Sequence, residues 1–277
     1  MAAKNFYDAV LIGLNLPSLL AGALLSKRGF RVLVIGHAQP WPSYEARGIR
    51  FPVAPFALPA PESPVLARIF SELALRPTLQ RRTRPLSPAF QAVLPGRRLD
   101  MTNEPSRLTR ELEREFPEAR HALEELLRSA AQGEPAVQAL LERDLMWPPE
   151  GWLERRDFTR ALAELPLGAE GERRPIWPEL DPSQPLGRVL AACVDHELDA
   201  SPRVLHNIRG VLASAELEEG GLAGLYELLI ETIRHHNGVL RLNERVDRLN
   251  VKRGALSAVH SFPSDEEIGF HYLLWAL

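Results

Sequence analysis

The 277-residue chain has one cysteine, Cys193, so no disulfide can form within it, and a reducing compartment, the cytoplasm, is the default location. It lacks an excess of either charge: 33 Lys and Arg stand against 36 Asp and Glu, a formal net charge of -3 with a pI near 6.3. Nothing in that balance draws nucleic acid or an anionic membrane, and neither is expected as a partner. No uninterrupted apolar run reaches the ~20 residues a bilayer core requires, so no transmembrane segment is expected. Metal ligands do not cluster. Cys193 to His196 has no second ligand group to complete a site and reads as ordinary helix. His235 and His236, adjacent on a helix, point about 100° apart and cannot share a metal. What remains is a globular composition, 45% hydrophobic and 25% charged, sufficient for one large or two medium domains.

Tyr7 to Gly36 has the outline of a dinucleotide-binding unit with most of its glycines missing. Asp8 to Ile12 reads as a buried parallel strand, Pro17 to Lys27 as a helix closed by Gly29, and Arg31 to Ile35 as a second apolar strand. In the pattern G-x-G-x-x-G the first glycine makes the turn, the second admits a pyrophosphate to the backbone, and the third lets helix and strand approach. Those positions are Gly13, Asn15 and Ser18. Asn tolerates left-handed angles and Ser is small, so the turn survives while affinity falls. The acid that ends the second strand and holds a ribose hydroxyl is replaced by Gly36. The candidate cofactor-binding residues are thus Gly13, Leu14, Asn15, Leu16, Pro17 and Ser18 in the turn, with Gly36 and His37 after the second strand. The helix start at Pro17 and Ser18 is expected to attract an anion through free backbone N–H groups. Replacing Asn15 by Gly and Gly36 by Glu is expected to strengthen a dinucleotide contact. A secretory signal competes for Ala9 to Leu25, with Ala21-Gly22-Ala23 as a cleavage-like site; Asn15, Pro17 and Ser18 interrupt its apolar core, and the following strand favours the βαβ reading.

Pro40 to Pro64 is proline-rich and reads as an extended loop. Arg76 to Arg84, four arginines in nine residues, reads as a solvated face. Phe90 to Leu94 and Arg98 to Met101 form a hairpin about Pro95-Gly96. Glu104 to Gly133 is helical, divided at Pro117. Met146 to Pro185 alternates tryptophan and proline with charge, which suits a lid over an apolar cavity or a surface packed on a partner. Leu225 to His236 is a helix stopped by Asn237-Gly238. Val239 to Leu242, Arg245 to Asn250, Leu256 to His260 and Ile268 to Leu277 follow as strands.

This order resembles the phytoene desaturase and carotenoid oxidoreductase branch of the FAD-dependent amine oxidase superfamily. The segments that carry the likeness are the N-terminal βαβ unit, Pro85 to Pro117 with its LPGRRLDMTNEPSRLTRELEREFP, and Gly220 to His260. The resemblance implies FAD as cofactor, a main-chain position at Val246 beside the adenine, and an apolar substrate oxidised by the flavin, with no catalytic residue named. Gly36 and the absence of a paired-glycine turn after it imply that FAD is held weakly or lost. The family continues past the strand that ends in Trp275-Ala276-Leu277, which implies a homo-oligomer or a separate chain supplying the remaining half.

The expected architecture is α/β: a Rossmann-like FAD/NAD(P)-binding domain from residues 1–75 and 215–277, with an inserted helical and mixed region, 76–214, acting as a substrate or cap region. The expected function is an FAD-dependent oxidoreductase acting on an apolar carotenoid- or amine-type substrate with weakened cofactor binding. The alternative is a non-catalytic relative that serves as a binding or assembly subunit.

Overall fold

A computed structural model describes residues 5–36, 43–52, 57–143, 145, 149–163, 176–194, 197–218, 221–252 and 254–276. In chain order the elements are β1 (Phe6–Ile12), α1 (Leu16–Lys27), β2 (Val32–Ile35), β3 (Ser43–Ala46), β4 (Ile49–Pro52), β5 (Ala57–Leu58), α2 (Pro64–Glu72), α3 (Arg76–Arg82), β6 (Thr83–Pro85), β7 (Phe90–Leu94), β8 (Arg97–Met101), α4 (Pro105–Glu115) and α5 (Arg120–Glu142). There follow α6 (Trp152–Ala163), a short 3₁₀ turn (Pro178–Leu180), α7 (Pro185–Ala191), α8 (Pro202–Leu212), β9 (Ala215–Leu217), α9 (Gly221–His235), β10 (Val239–Arg241), β11 (Arg245–Lys252), β12 (Ala255–Phe262) and β13 (Glu266–Trp275). The chain forms two compact units, residues 1–57, 68–82 and 217–277 in the first and 58–67 and 83–216 in the second.

The first unit is organised by a six-stranded sheet in the order β10-β2-β1-β13-β12-β11. β1 lies parallel to both β2 and β13, and β10 parallel to β2; β11, β12 and β13 form an antiparallel meander. Parallel strands buried on both faces need uninterrupted apolar sequence, and all four residues of β2 are buried. Tyr7, Val10, Ile12, Leu33, Ile35, Val259, Ile268 and Phe270 form one cluster. α1 packs on β1, β2 and α9, with Gly22 and Ala23 buried in that packing. The residues that resemble a cleavage site are therefore helix interior. α9 begins at Gly221, four residues before the expected start, and buries Leu225, Tyr226, Leu229, Ile230 and Ile233, the i, i+4 spacing of an inward face.

The proline-rich stretch departs from expectation. β3 and β4 pair as a hairpin, Tyr44 opposite Phe51, with Arg47 and Gly48 at positive φ in the turn. Pro52 closes the outer end of a two-stranded ribbon, where a missing N–H costs no ladder bond. The arginine-rich segment is α3, anchored by the buried Leu79.

The second unit holds the hairpin β7–β8 with its turn at Pro95-Gly96, as expected. Its core joins Leu99 and Met101 to Leu108, Leu112 and Phe116 at α4 and to Leu123 and Leu126 of α5, with α7 and α8 completing it. The break at Pro117 separates α4 from α5, but α5 continues through Gly133 and carries Pro135 inside it. Ala122, Leu123, Leu126 and Ala130 bury the half of α5 that precedes this point, and a helix already anchored by packing tolerates a single weak position further on. Within Met146 to Pro185, α6 is regular helix, while Trp147 and the run 164–175 lie outside the described residues.

Cys193 sits in the turn just beyond α7 and not in the helix; its Sγ lies 3.3 Å from the Val189 carbonyl, and burial pushes the thiol up to about 11. A thiol held protonated is neither nucleophile nor ligand at neutral pH. Asp195 and His196 lie outside the described residues. Among the described residues no group of three or more His, Cys, Asp or Glu could hold a metal ion, and no helix is long and apolar enough to cross a membrane.

Candidate functional site

In a dinucleotide fold the phosphates sit at the first strand-to-helix turn, because outward-facing N–H groups and the helix dipole favour an anion there. Here that turn runs from Gly13 to Ser18. Gly13 has φ +119°, which L side chains resist. Its missing Cβ also leaves room for another chain segment: a Cβ there would overlap the Ala276 carbonyl oxygen. Ala276 donates its N–H to Ile12 at 3.0 Å, so the end of β13 is tied beside the turn.

The helix amides are satisfied within the protein. Asn15 is the N-cap of α1, in extended geometry, and its Oδ1 accepts the Ser18 N–H at 3.1 Å. Its carbonyl accepts the Leu19 N–H at 3.1 Å. Pro17 has no N–H to offer. The Leu16 backbone N–H hydrogen-bonds the hydroxyl of Tyr226 on α9, opposing the burial that pushes that phenol up. The expectation of free donors at Pro17 and Ser18 is thus corrected: one has no proton and the other is capped. The Ser18 hydroxyl is buried without a hydrogen-bond partner among the described residues, sealed beneath the turn where a glycine would ordinarily let helix and strand meet.

Gly36 follows β2 and donates to the Arg241 carbonyl at 3.0 Å. Leu14 covers it. A Cβ on Gly36 would overlap Cγ and Cδ1 of Leu14, whose side chain is buried. The space in which an acidic side chain would begin is filled by leucine, so Gly36→Glu requires the Leu14 side chain to move before a ribose contact can form. His37 lies outside the described residues. Val246 is on β11, three strands from β1 in the sheet, yet packs on the cluster that contains Ile12 and Ile35. The structure therefore gathers Gly13, Leu14, Asn15, Leu16, Pro17, Ser18 and Gly36 at one turn, with Val246 on the core beneath. In this conformation the turn does not fit a dinucleotide: Leu14 stands on Gly36, and Tyr226 and Asn15 hold the amides a phosphate would use.

Tyr226 and Ala276 were not among the residues singled out from sequence. Tyr226 had a signal, since a phenol within an apolar helix face needs a polar partner when buried. Removing it as Tyr226→Phe is expected to cost about 1 kcal/mol through the unsatisfied Leu16 amide, measured by chemical denaturation.

A polar cluster secures the strand ends nearby. Arg241, Cβ-to-guanidinium largely buried, meets Glu244 at 3.2 Å and Glu266 at 2.7 Å, and Glu244 accepts from Ser261 and from Ser264 at 3.0 Å. Burial raises the Glu244 pKa, but the hydrogen bonds from Ser261, Arg241 and Ser264 outweigh it and hold the carboxyl below its ordinary 4.5. A depressed folded-state pKa stabilises the protein above the unfolded value and is lost as pH falls through the folded one. On acidification below pH 4.5 the thermal midpoint of the wild type is expected to drop more steeply than that of Glu244→Gln; parallel curves would disprove the assignment.

No protein-family model matches the chain, and no curated protein sequence does. Solved structures do. An oxidoreductase from Methanosarcina mazei superposes with a TM-score of 0.55 at 15% identity, over 98% of this chain and 58% of its own. A putrescine oxidase variant redesigned in cofactor binding gives 0.51 at 15%, over 98% and 58%. RAB GDI from Plasmodium falciparum gives 0.50 at 12%, over 98% and 65%. The chain spans about three fifths of the length of the first structures it resembles. At these identities the likeness is one of fold, and it is the fold expected from the sequence: an α/β, Rossmann-like architecture.

Proposed function

We propose that this chain is a flavoprotein-fold binding module that does no flavin chemistry by itself. The observation that supports it is the self-filled β1–α1 turn, where Leu14, Asn15, Tyr226 and the Ala276 carbonyl take the places a dinucleotide would need. The fold itself decides nothing about chemistry, being shared by proteins named as oxidoreductases and by one named as a RAB GDI. Titration of the purified full chain with FAD, followed by visible absorbance and calorimetry, is the test. No flavin bands on the protein as purified and no saturable binding at tens of micromolar are expected; stoichiometric flavin would overturn the reading.

A second reading is an FAD-dependent oxidoreductase of the phytoene desaturase or carotenoid type, acting on an apolar substrate in the cytoplasm. The retained βαβ unit and meander favour it. It requires Leu14 to leave Gly36 and the Leu16 amide to exchange Tyr226 for a phosphate, so its FAD affinity would be weak in the wild type and would rise in Tyr226→Phe.

Association with a second copy of the chain is part of the proposal. Near the end of β13, Tyr272 and Leu274 on one face and Trp275 on the other are 70%, 39% and 51% exposed, apolar area that proteins commonly cover by association. Light scattering at micromolar concentration is expected to give a dimer or larger, and Tyr272→Lys with Trp275→Lys to give monomer. A wild-type monomer would remove this part of the proposal.

A further inference from the structure

The second unit carries a half-open cleft of about 760 Å³ that the dinucleotide turn does not use. Small-molecule sites fall within roughly 300–1,000 Å³, so a cleft of this size is a ligand-sized space. Leu108 and Leu112 of α4, Leu127 and Ala131 of α5 and Leu212 of α8 supply its apolar wall. Along α5 the lining residues Leu127, Ala131, Glu134 and Gln138 recur at i, i+4, i+7 and i+11, one stripe about 16 Å long that passes from apolar to polar.

The polar end is arranged as a donor site. Gln138 donates to Glu134 Oε1 at 2.9 Å, and His206 Nδ1 stands 3.1 Å from Glu134 Oε2. Each carboxylate oxygen already has a partner, so a cationic ligand would compete with Gln138 and His206 for it. Arg209 Nε forms a loose ion pair with the same carboxylate at 3.8 Å, beyond hydrogen-bond distance, and its side chain is 40% exposed. The other charged residues of the lining are matched elsewhere or outside: Glu124 holds Arg120 and Thr109, Arg128 holds Glu125, and Glu62 faces solvent. Arg209 is therefore the group best placed to receive a new partner, and a guanidinium prefers a carboxylate.

We infer that this cleft binds a single-chain amphiphile with a carboxylate head, its apolar chain along Leu127 and Ala131 and its head on Arg209. The inference goes beyond the proposed function and stands whether or not the nucleotide turn is closed. The probes are dodecanoate, dodecanol and dodecylamine, each titrated calorimetrically below its micellar concentration into the full chain. Dodecanoate is expected to bind one to one, about tenfold tighter than the alcohol and tighter still than the amine, since one charge-assisted contact separates them. Arg209→Gln should abolish the preference for the carboxylate while leaving the alcohol's affinity in place. Ala131→Trp, which fills the apolar wall, should abolish binding of both with an unchanged far-UV spectrum. Absence of one-to-one binding by dodecanoate, tighter binding of the amine, or an undiminished carboxylate preference in Arg209→Gln would each overturn the proposal. The Arg209 variant changes a partly exposed side chain outside the buried core and so keeps the test valid if the tryptophan variant misfolds.

Discussion

Phe116→Ala is expected to lower the stability of the second unit by about 3–5 kcal/mol, the range for truncating a fully buried aromatic ring. Phe116 is 1% exposed and stands at the junction of α4 and α5, in the cluster that gathers the β7–β8 hairpin, α7 and α8. The Arg97 guanidinium lies over its ring at 4.6 Å, so the substitution removes a cation–π contact as well as buried area. Its N–H still caps α4 by donating to Leu112 at 2.8 Å, which alanine preserves, so the loss reports packing and not helix termination. Phe116→Leu should retain more than half of the stability. Urea denaturation of the three proteins is the measurement, and a loss below about 1 kcal/mol for alanine would show that this core is not packed as described.

Gly36→Glu is expected to destabilise the first unit by about 1–3 kcal/mol and to leave FAD affinity unimproved, because its Cβ collides with the buried Leu14 side chain. Leu14→Ala alone should cost about 2–4 kcal/mol by opening a cavity. The double replacement is expected to cost less than the sum, with a coupling of at least about 1 kcal/mol, since each change relieves what the other damages. FAD titration of the same proteins carries the functional half of the test. A rise in affinity confined to the double variant would show that Leu14 is what closes the turn, whereas strictly additive stabilities would refute the contact between the two positions. Asn15→Gly, by contrast, should cost only a few tenths of a kcal/mol, glycine being tolerated at an N-cap.

The sequence by itself determined the six strands of the main sheet in the first unit and the helices α1 and α9. The continuous apolar runs of β1 and β2, the small and apolar residues of α1 between them, and the strand-turn pattern after Asn237 are local signals, and each falls where the strands and helices are found. The same locality explains the hairpin at Pro95-Gly96 and the division of α4 from α5 at Pro117. Local signals also bring Gly13, Asn15, Ser18 and Gly36 to one turn, since they sit at fixed offsets along one βαβ unit. They did not extend to the β3–β4 hairpin, whose prolines suggest loop while cross-strand pairing overrides them, nor to α5 beyond Gly133, where the helix runs on through Pro135 to Glu142.

Only the tertiary structure decided what occupies that turn. Leu14 reaches Gly36 across two strands, Tyr226 arrives from a helix more than two hundred residues away, and the Ala276 carbonyl comes from the last described strand. None of these approaches has a sequence spacing, because each is set by how α1, α9 and β13 pack on one sheet. The cleft of the second unit has the same origin: the stripe on α5 is readable from its period, but the meeting of Glu134 with His206 and Arg209 depends on α8 lying against it. Periodicity fixes which residues share a face, while the free energy of burying those faces against one another chooses their partners.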